Sequence, residues 1–188
     1  MWEPKALELR RIAGVDLTAR VDPWALAATI GLMVVDGGEA LKLLPREDQA
    51  FLRGTASRSW SGGVYARTLP DGQRLCILNP THSARRSKIT LMEEVAHIHL
   101  RHIPSTLLLA ADGLQVRDYV KAQEEEAYGV GAAALIPWVS LFPALDGGRT
   151  VDELAESHEV TRELIEYRVK ITGAFRLYRA RQRTGARR

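Results

Sequence analysis

The feature that most constrains this chain is a long stretch without charge. From Ala127 to Leu145 no residue carries a formal charge. Such a run must leave water, and its length reaches the lower limit for a helix that spans a membrane. Gly129, Gly131, Pro137 and Pro143 interrupt it and alanines fill its middle, so the run reads as a core helix that stops before Pro137. It opens on Glu124, Glu125 and Glu126. Three carboxylates beside a segment that must be buried place at least one near the core boundary, where it needs a cation or hydrogen bonds. An acidic first turn favoured by the helix dipole is the competing reading, and on residues alone the two stand level.

Hydrophobic residues at 46% and charged residues at 26% of 188 fit a globular chain and exclude wholesale disorder. Cys76 is the only cysteine, which excludes an internal disulfide and fits a reducing compartment. Met1-Trp2-Glu3-Pro4-Lys5 lacks the pattern of a secretory leader, so a cytoplasmic location is expected. The net charge of +3 is uneven. No acidic residue follows Glu166, whereas Arg168, Lys170, Arg176, Arg179, Arg181, Arg183, Arg187 and Arg188 do, and the remainder of the chain is net acidic. A tail of this kind suits nucleic acid, an acidic partner or plain solvent.

Asp22-Pro23 reads as an N-cap followed by proline at the first helical position, with a helix to about Ile30 stopped by Gly31. A short strand over Met33-Val34-Val35 and a helix over 43–53 follow. Strand-like runs at 63–69 and 73–78 flank Pro70-Asp71-Gly72, a strong turn signal. A long helix is expected from about Ser83 to Arg101, a small hairpin over 107–116, and a second long helix from about Val120 to Ile136. Two further helices, at 151–157 and 161–179, follow Gly147-Gly148. The order predicts an α+β fold, a small sheet with helices and a helical C-terminal part. We divide it into an N-terminal extension (1–20), a main domain (21–145), a C-terminal helical segment (146–175) and a basic tail (176–188).

The chemistry concentrates in Glu93-Glu94-Val95-Ala96-His97. On a helix, Glu93 and His97 share a face and Glu94 lies close to it. In His-Glu-x-x-His zinc peptidases two histidines hold the metal and the Glu between them takes a proton from water. Here Glu94 and His97 occupy the base and second-ligand positions, and Glu93 replaces the first histidine. A carboxylate binds zinc through oxygen, but two carboxylates with one imidazole lean toward harder cations such as manganese or magnesium. A Glu-Glu-x-x-His string is otherwise an ordinary solvated helix face. His99 and His102 are alternative ligands, poorly placed on a continuous helix, and His102 becomes better placed only if the helix ends first.

Lys88 to Leu100 resembles the ImmA/IrrE pattern, in which Arg-Phe-Thr-Leu-Ala precedes His-Glu-x-x-His. Glu124 through Pro137 resembles that family's second helix, which begins with a Glu followed three residues later by Ala and closes in a Leu/Met-Pro step. The Asp22-Pro23 helix, the Asp71-Gly72 turn and Asn79-Pro80 fall in the same order, so the likeness runs over roughly 21–173. It implies a compact zincin-like domain, with His97 a metal ligand, Glu94 the general base and Glu124, rather than Glu125 or Glu126, the ligand of the second helix, joined by Glu93. Tyr128 stands where the family has Asn. The implied cofactor is Zn2+, with Mn2+ as the alternative. The implied activity is cleavage, or promoted removal, of a regulatory protein such as a helix-turn-helix repressor. With Glu93 in the first position, a pseudo-peptidase that binds or regulates is the second reading.

Residues 151–165 match helix-turn-helix spacing, as in a segment that trails the core in many relatives. Glu159 occupies the turn where glycine is usual, and Glu163 and Glu166 share the second helix with Arg162, Arg168 and Lys170. Acidic residues oppose phosphates, so docking or structural support is favoured over DNA reading. The arginine-rich tail keeps DNA as a minor option, and no membrane partner is expected.

Overall fold

The computed structural model describes residues 2–42, 46–54, 57–64, 68–103, 107–109, 115–117, 120–174 and 176. Its elements run in the order α1 (Glu3–Ile12), α2 (Pro23–Thr29), β1 (Leu32–Asp36), α3 (Gly37–Leu41), α4 (Arg46–Arg53), β2 (Gly62–Val64), β3 (Arg74–Leu78), α5 (Ala84–His99), β4 (Leu107–Leu109), β5 (Gln115–Arg117), α6 (Lys121–Leu135), α7 (Trp138–Asp146), α8 (Val151–His158) and α9 (Arg162–Ile171). This is the α+β class, a small zincin-like domain followed by a helical segment.

A three-stranded sheet has the order β1-β3-β2. β1 runs parallel to β3 with Val34 opposite Cys76, and β2 runs antiparallel to β3 with Gly63 opposite Ile77. The turn expected at Pro70-Asp71-Gly72 is closed by Gly72 N–H donating to Leu69 O at 2.9 Å, and Gly72 takes φ +84°. β4 and β5 pair antiparallel as the expected hairpin, while 110–114 lie outside the described residues. So do 43–45 at the start of the helix expected at 43–53, 65–67 of the strand expected at 63–69, and 177–188 of the tail.

α2 begins as anticipated. The Asp22 carboxylate accepts from Trp24 N–H at 2.9 Å, and Gly31 closes the helix at φ +73°. α5 starts at Ser83, whose hydroxyl accepts from Arg86 N–H. Its core face is Leu91, Met92, Val95 and Ala96, all fully buried. Each larger side chain on it contributes ~2 kcal/mol of burial.

The uncharged stretch becomes two helices. α6 is buried from Ala127 and from Gly129 through Leu135. It ends at Ile136, where Pro137 disfavours helical geometry in the residue before it, and α7 departs at 60°. Among the described residues no single helix is long and apolar enough to cross a membrane. α5 packs more extensively on α6 than on any other element. Gly131 permits their approach, because a Cβ there would lie 3.0 Å from Met92 O and 3.3 Å from Glu93 N.

No pattern in the first twenty residues predicts an element, yet α1 packs along α6 with Ala6 and Leu9 fully buried. Arg10, 1% exposed, donates to Ala134 O at 2.6 Å and also to Asp16 O and Ala19 O. Arg168, in α9 and 1% exposed, donates to Ile136 O at 2.9 Å and pairs with Glu3. Two buried guanidinium groups thus satisfy carbonyls that the C-terminal end of α6 leaves without helical partners.

Candidate metal centre

The α5–α6 contact brings the sequence-derived residues together. Glu93 and His97 stand one turn apart on α5, and Glu124 stands in the first turn of α6. One ligand atom from each lies within 4.8 Å of the others, and among the described residues this is the group of three able to hold a metal ion. His97 Nε2 is 3.6 Å from Glu124 Oε2, with the two side chains 19% and 29% exposed. The site is thus shielded but reachable from solvent.

The three consecutive glutamates part company because neighbours on a helix are ~100° apart. Glu124 faces α5. Glu125 turns outward to Lys121 at 3.6 Å. Glu126 meets Lys5 and His102. Glu124, Ala127, Tyr128 and Gly131 recur at helical spacing on the side of α6 that meets α5.

Burial pushes the Glu93 carboxyl up to about 8, with the charges of Glu94 and Glu124 adding to the effect. Burial also lowers the His97 pKa and outweighs the opposing pull of Glu124, while His102 adds to the lowering. The imidazole therefore presents itself neutral, the form that binds metals. Burial and Glu93 together raise the Tyr128 phenol to about 12. Glu94 is half-buried beside Glu93, and its charge, after burial, helps raise the Cys76 thiol to about 12. That cysteine is an inert core residue.

This donor set fits a divalent cation. Two carboxylates and a neutral imidazole match its charge, and without a cation the like charges repel in a partly desolvated place. Ligand atoms around a tetrahedral ion lie ~3.4 Å apart. The His97–Glu124 pair, at 3.6 Å, is already close to that, and no pair in the group exceeds 4.8 Å. Three protein ligands leave a fourth position for a reactant, the arrangement of catalytic rather than structural sites.

His99 points away, its Nε2 3.3 Å from Glu8 Oε2. His102 does not coordinate with the group either, but it touches His97. α5 ends at His99, and Arg101 takes the left-handed conformation at φ +56°. His102 is thereby folded back, its N–H donating to His97 O at 3.0 Å and its Nδ1 lying 3.0 Å from His97 Nδ1. A continuous helix would have kept the two rings apart.

The helical segment is tied to the main domain through Glu159 and Lys88. Thr150 and Glu153 form a reciprocal capping box that starts α8. Glu159 adopts φ +54° in the turn and pairs with Arg20 at 2.8 Å and Lys88 at 3.6 Å. α9 buries Leu164, Ile165 and Val169, and Arg162 is engaged by Asp152 and Glu166.

A short mixed sheet beside a helix that carries Glu-x-x-His, with a third donor from a following helix, defines a zincin-like domain of metallopeptidase type. The family model of the IrrE N-terminal-like domain, a peptidase family, matches residues 56–170. The chain belongs to this ImmA/IrrE family. Among curated proteins none matches it.

Proposed function

We propose that this protein is a metal-dependent endopeptidase whose Glu93, His97 and Glu124 hold a divalent ion, Zn2+ in the first place and Mn2+ as the alternative. The observation that carries the reading is the convergence of those three side chains from two helices. A bound ion would supply Lewis acidity to a peptide carbonyl and to water. Glu94, one position along α5 from Glu93, is the general base. Its carboxylate takes the proton of the attacking water and returns it to the leaving nitrogen. The substrate is a regulatory protein of the helix-turn-helix repressor type, and α8 and α9 serve to dock it rather than to read DNA. In support of docking, Glu163 and Glu166 lie exposed on α9, where phosphates would be repelled.

The test pairs metal analysis of the purified protein with cleavage of a cognate repressor. One equivalent of metal is expected, with Glu94→Gln keeping the metal and losing about 100-fold or more in turnover. Metal-free protein after Zn2+ and Mn2+ loading, or unchanged cleavage in Glu94→Gln, would overturn the reading.

A pseudo-peptidase is the second reading, and Glu93 is the observation that favours it. An anionic oxygen in place of a neutral nitrogen neutralises the ion more fully and weakens it as a Lewis acid. In that case the parent protein binds the regulator without cutting it, and Glu93→His raises zinc affinity sharply.

A further inference from the structure

His97 has two ring nitrogens, and what the second one touches decides what the first can do. Nε2 faces Glu124. Nδ1 faces His102 Nδ1 at 3.0 Å, with the ring planes 76° apart. The His102 side chain is only 7% exposed, and its Nε2 lies 3.2 Å from Glu126 Oε2. Glu126 in turn pairs through its other oxygen with Lys5 of α1. Four side chains from α5, the turn after it, α6 and α1 thus form one line that ends at the metal group.

The protons in this line are not free to choose. An ionised carboxylate only accepts hydrogen bonds, and Lys5 beside it favours that charged form. A His102 ring with a single proton must therefore hold it on Nε2, facing Glu126, which leaves its Nδ1 as a bare lone pair. Two bare nitrogens facing each other at 3.0 Å would repel, so His97 must carry its proton on Nδ1. Its Nε2 is then a lone pair facing Glu124. Every contact from Lys5 to His97 Nδ1 then has a donor on one side and an acceptor on the other, and the Nε2 lone pair, 3.6 Å from Glu124 Oε2, is the one place left for a cation.

We propose that His102 and Glu126, anchored by Lys5, are positioning residues that hold His97 in the Nδ1–H tautomer and keep its Nε2 lone pair facing Glu124. The tautomer is a property of this fold, and its value for function rests on the metal-site reading above. A ligating histidine whose other nitrogen donates to a fixed acceptor is better oriented and more basic, and losing the partner costs ~10–100-fold in metal affinity. The line also gives α1 a role in the site, although α1 lies outside the span matched by the family model. The backbone supports it too. The left-handed turn at Arg101, unfavourable by ~1 kcal/mol for a residue with a side chain, is what returns His102 to His97.

The experiment uses the full-length protein, free of metal, with its histidine rings labelled with 15N and their two-bond proton–nitrogen correlations recorded above the histidine titration range. Wild type is expected to show Nδ1–H on His97 and Nε2–H on His102. His102→Ala should shift His97 toward the Nε2–H form that water favours. His102→Asn should restore Nδ1–H, because the amide oxygen can accept where Nδ1 did. In zinc competition, His102→Ala should lose about 10–100-fold in affinity, and His102→Asn and Glu126→Gln less. Nε2–H on His97 in the wild type would overturn the proposal without any variant. So would a folded His102→Ala with unchanged His97 shifts. The expected tautomer in a protein that takes up no zinc supports the line and overturns the metal-site reading alone.

Discussion

Glu93 occupies the position at which His-Glu-x-x-His has its first histidine, and the exchange replaces a neutral nitrogen donor with an anionic oxygen. Glu93→His should therefore strengthen zinc binding at least about 10-fold, because zinc favours imidazole over carboxylate relative to harder ions. Competition against a chromophoric chelator measures it, and equal or weaker binding would show that the pocket is not shaped for a metal there. The carboxylates and imidazole of α5 were legible in the sequence because helical spacing alone puts positions 93 and 97 on one face. Choosing among Glu124, Glu125 and Glu126 needed the family pattern, since periodicity cannot say which side of α6 meets α5. His102 was not legible. Its place depends on a left-handed Arg101, and no residue type in that segment announces such a turn as glycine would.

At the scale of elements, the α5–α6 contact sets the geometry of the site. Gly131→Ala puts a methyl 3.0 Å from Met92 O and 3.1 Å from Met92 C, backbone atoms that cannot turn aside. A helix gains ~1 kcal/mol from Gly to Ala, and overpacking costs ~1–3 kcal/mol. Stability should change little or fall by about 2 kcal/mol, while zinc affinity drops because Glu93 shifts with α5. A variant with unchanged affinity would mean that the contact does not position the ligands. α8 offers a separate pH test. His158 is pushed down to about 4, first by burial and then by Arg149, Arg20, Lys88 and Arg10, and its buried Nδ1 has no hydrogen-bond partner. A lowered folded-state pKa means that the native state prefers the neutral ring. Its contribution is fully present above the ordinary value of 6.5 and is lost as pH falls toward 4. The loss should be on the order of 2 kcal/mol, and His158→Gln should flatten that part of the stability–pH curve. Parallel curves for both proteins in urea titrations would contradict it. Well-capped elements such as α2, α5 and α8 are legible in the sequence, and α6 is legible through its uncharged run. α1, α3 and α7 are not. α1 shows few apolar residues, α3 begins with two glycines, and α7 contains Pro143; tertiary packing decides all three.

Over the whole molecule, the first and last of the named helices, α1 and α9, close on the same place. Arg10 from α1 and Arg168 from α9 both reach the carbonyl end of α6, whose other end presents Glu124. Arg168→Ala leaves Ile136 O without its donor and Glu3 with only the Trp138 N–H, and should cost about 2–4 kcal/mol, measured by chemical denaturation; a loss under ~1 kcal/mol would mean that the pair is not structural. Deleting residues 1–13 removes Ala6, Leu9 and Arg10 from the core and should lower Tm by roughly 10–20 °C, or prevent folding. A truncated protein that melts like the parent would show that α1 is an appendage. The α+β class and the order of the main elements could be read from pattern and turns. That α1 and α9 brace the central helix could not, because single buried arginines look like solvated ones in a sequence.

The central claim is that Glu93, His97 and Glu124 converge on one cation. A crystal of the full-length protein grown with Zn2+, with anomalous data collected at the zinc edge, tests it most directly. The expected result is one strong peak about 2.0–2.2 Å from His97 Nε2 and from an oxygen of each glutamate. No peak between α5 and α6, or a zinc ion held at Glu8 and His99 instead, would contradict it.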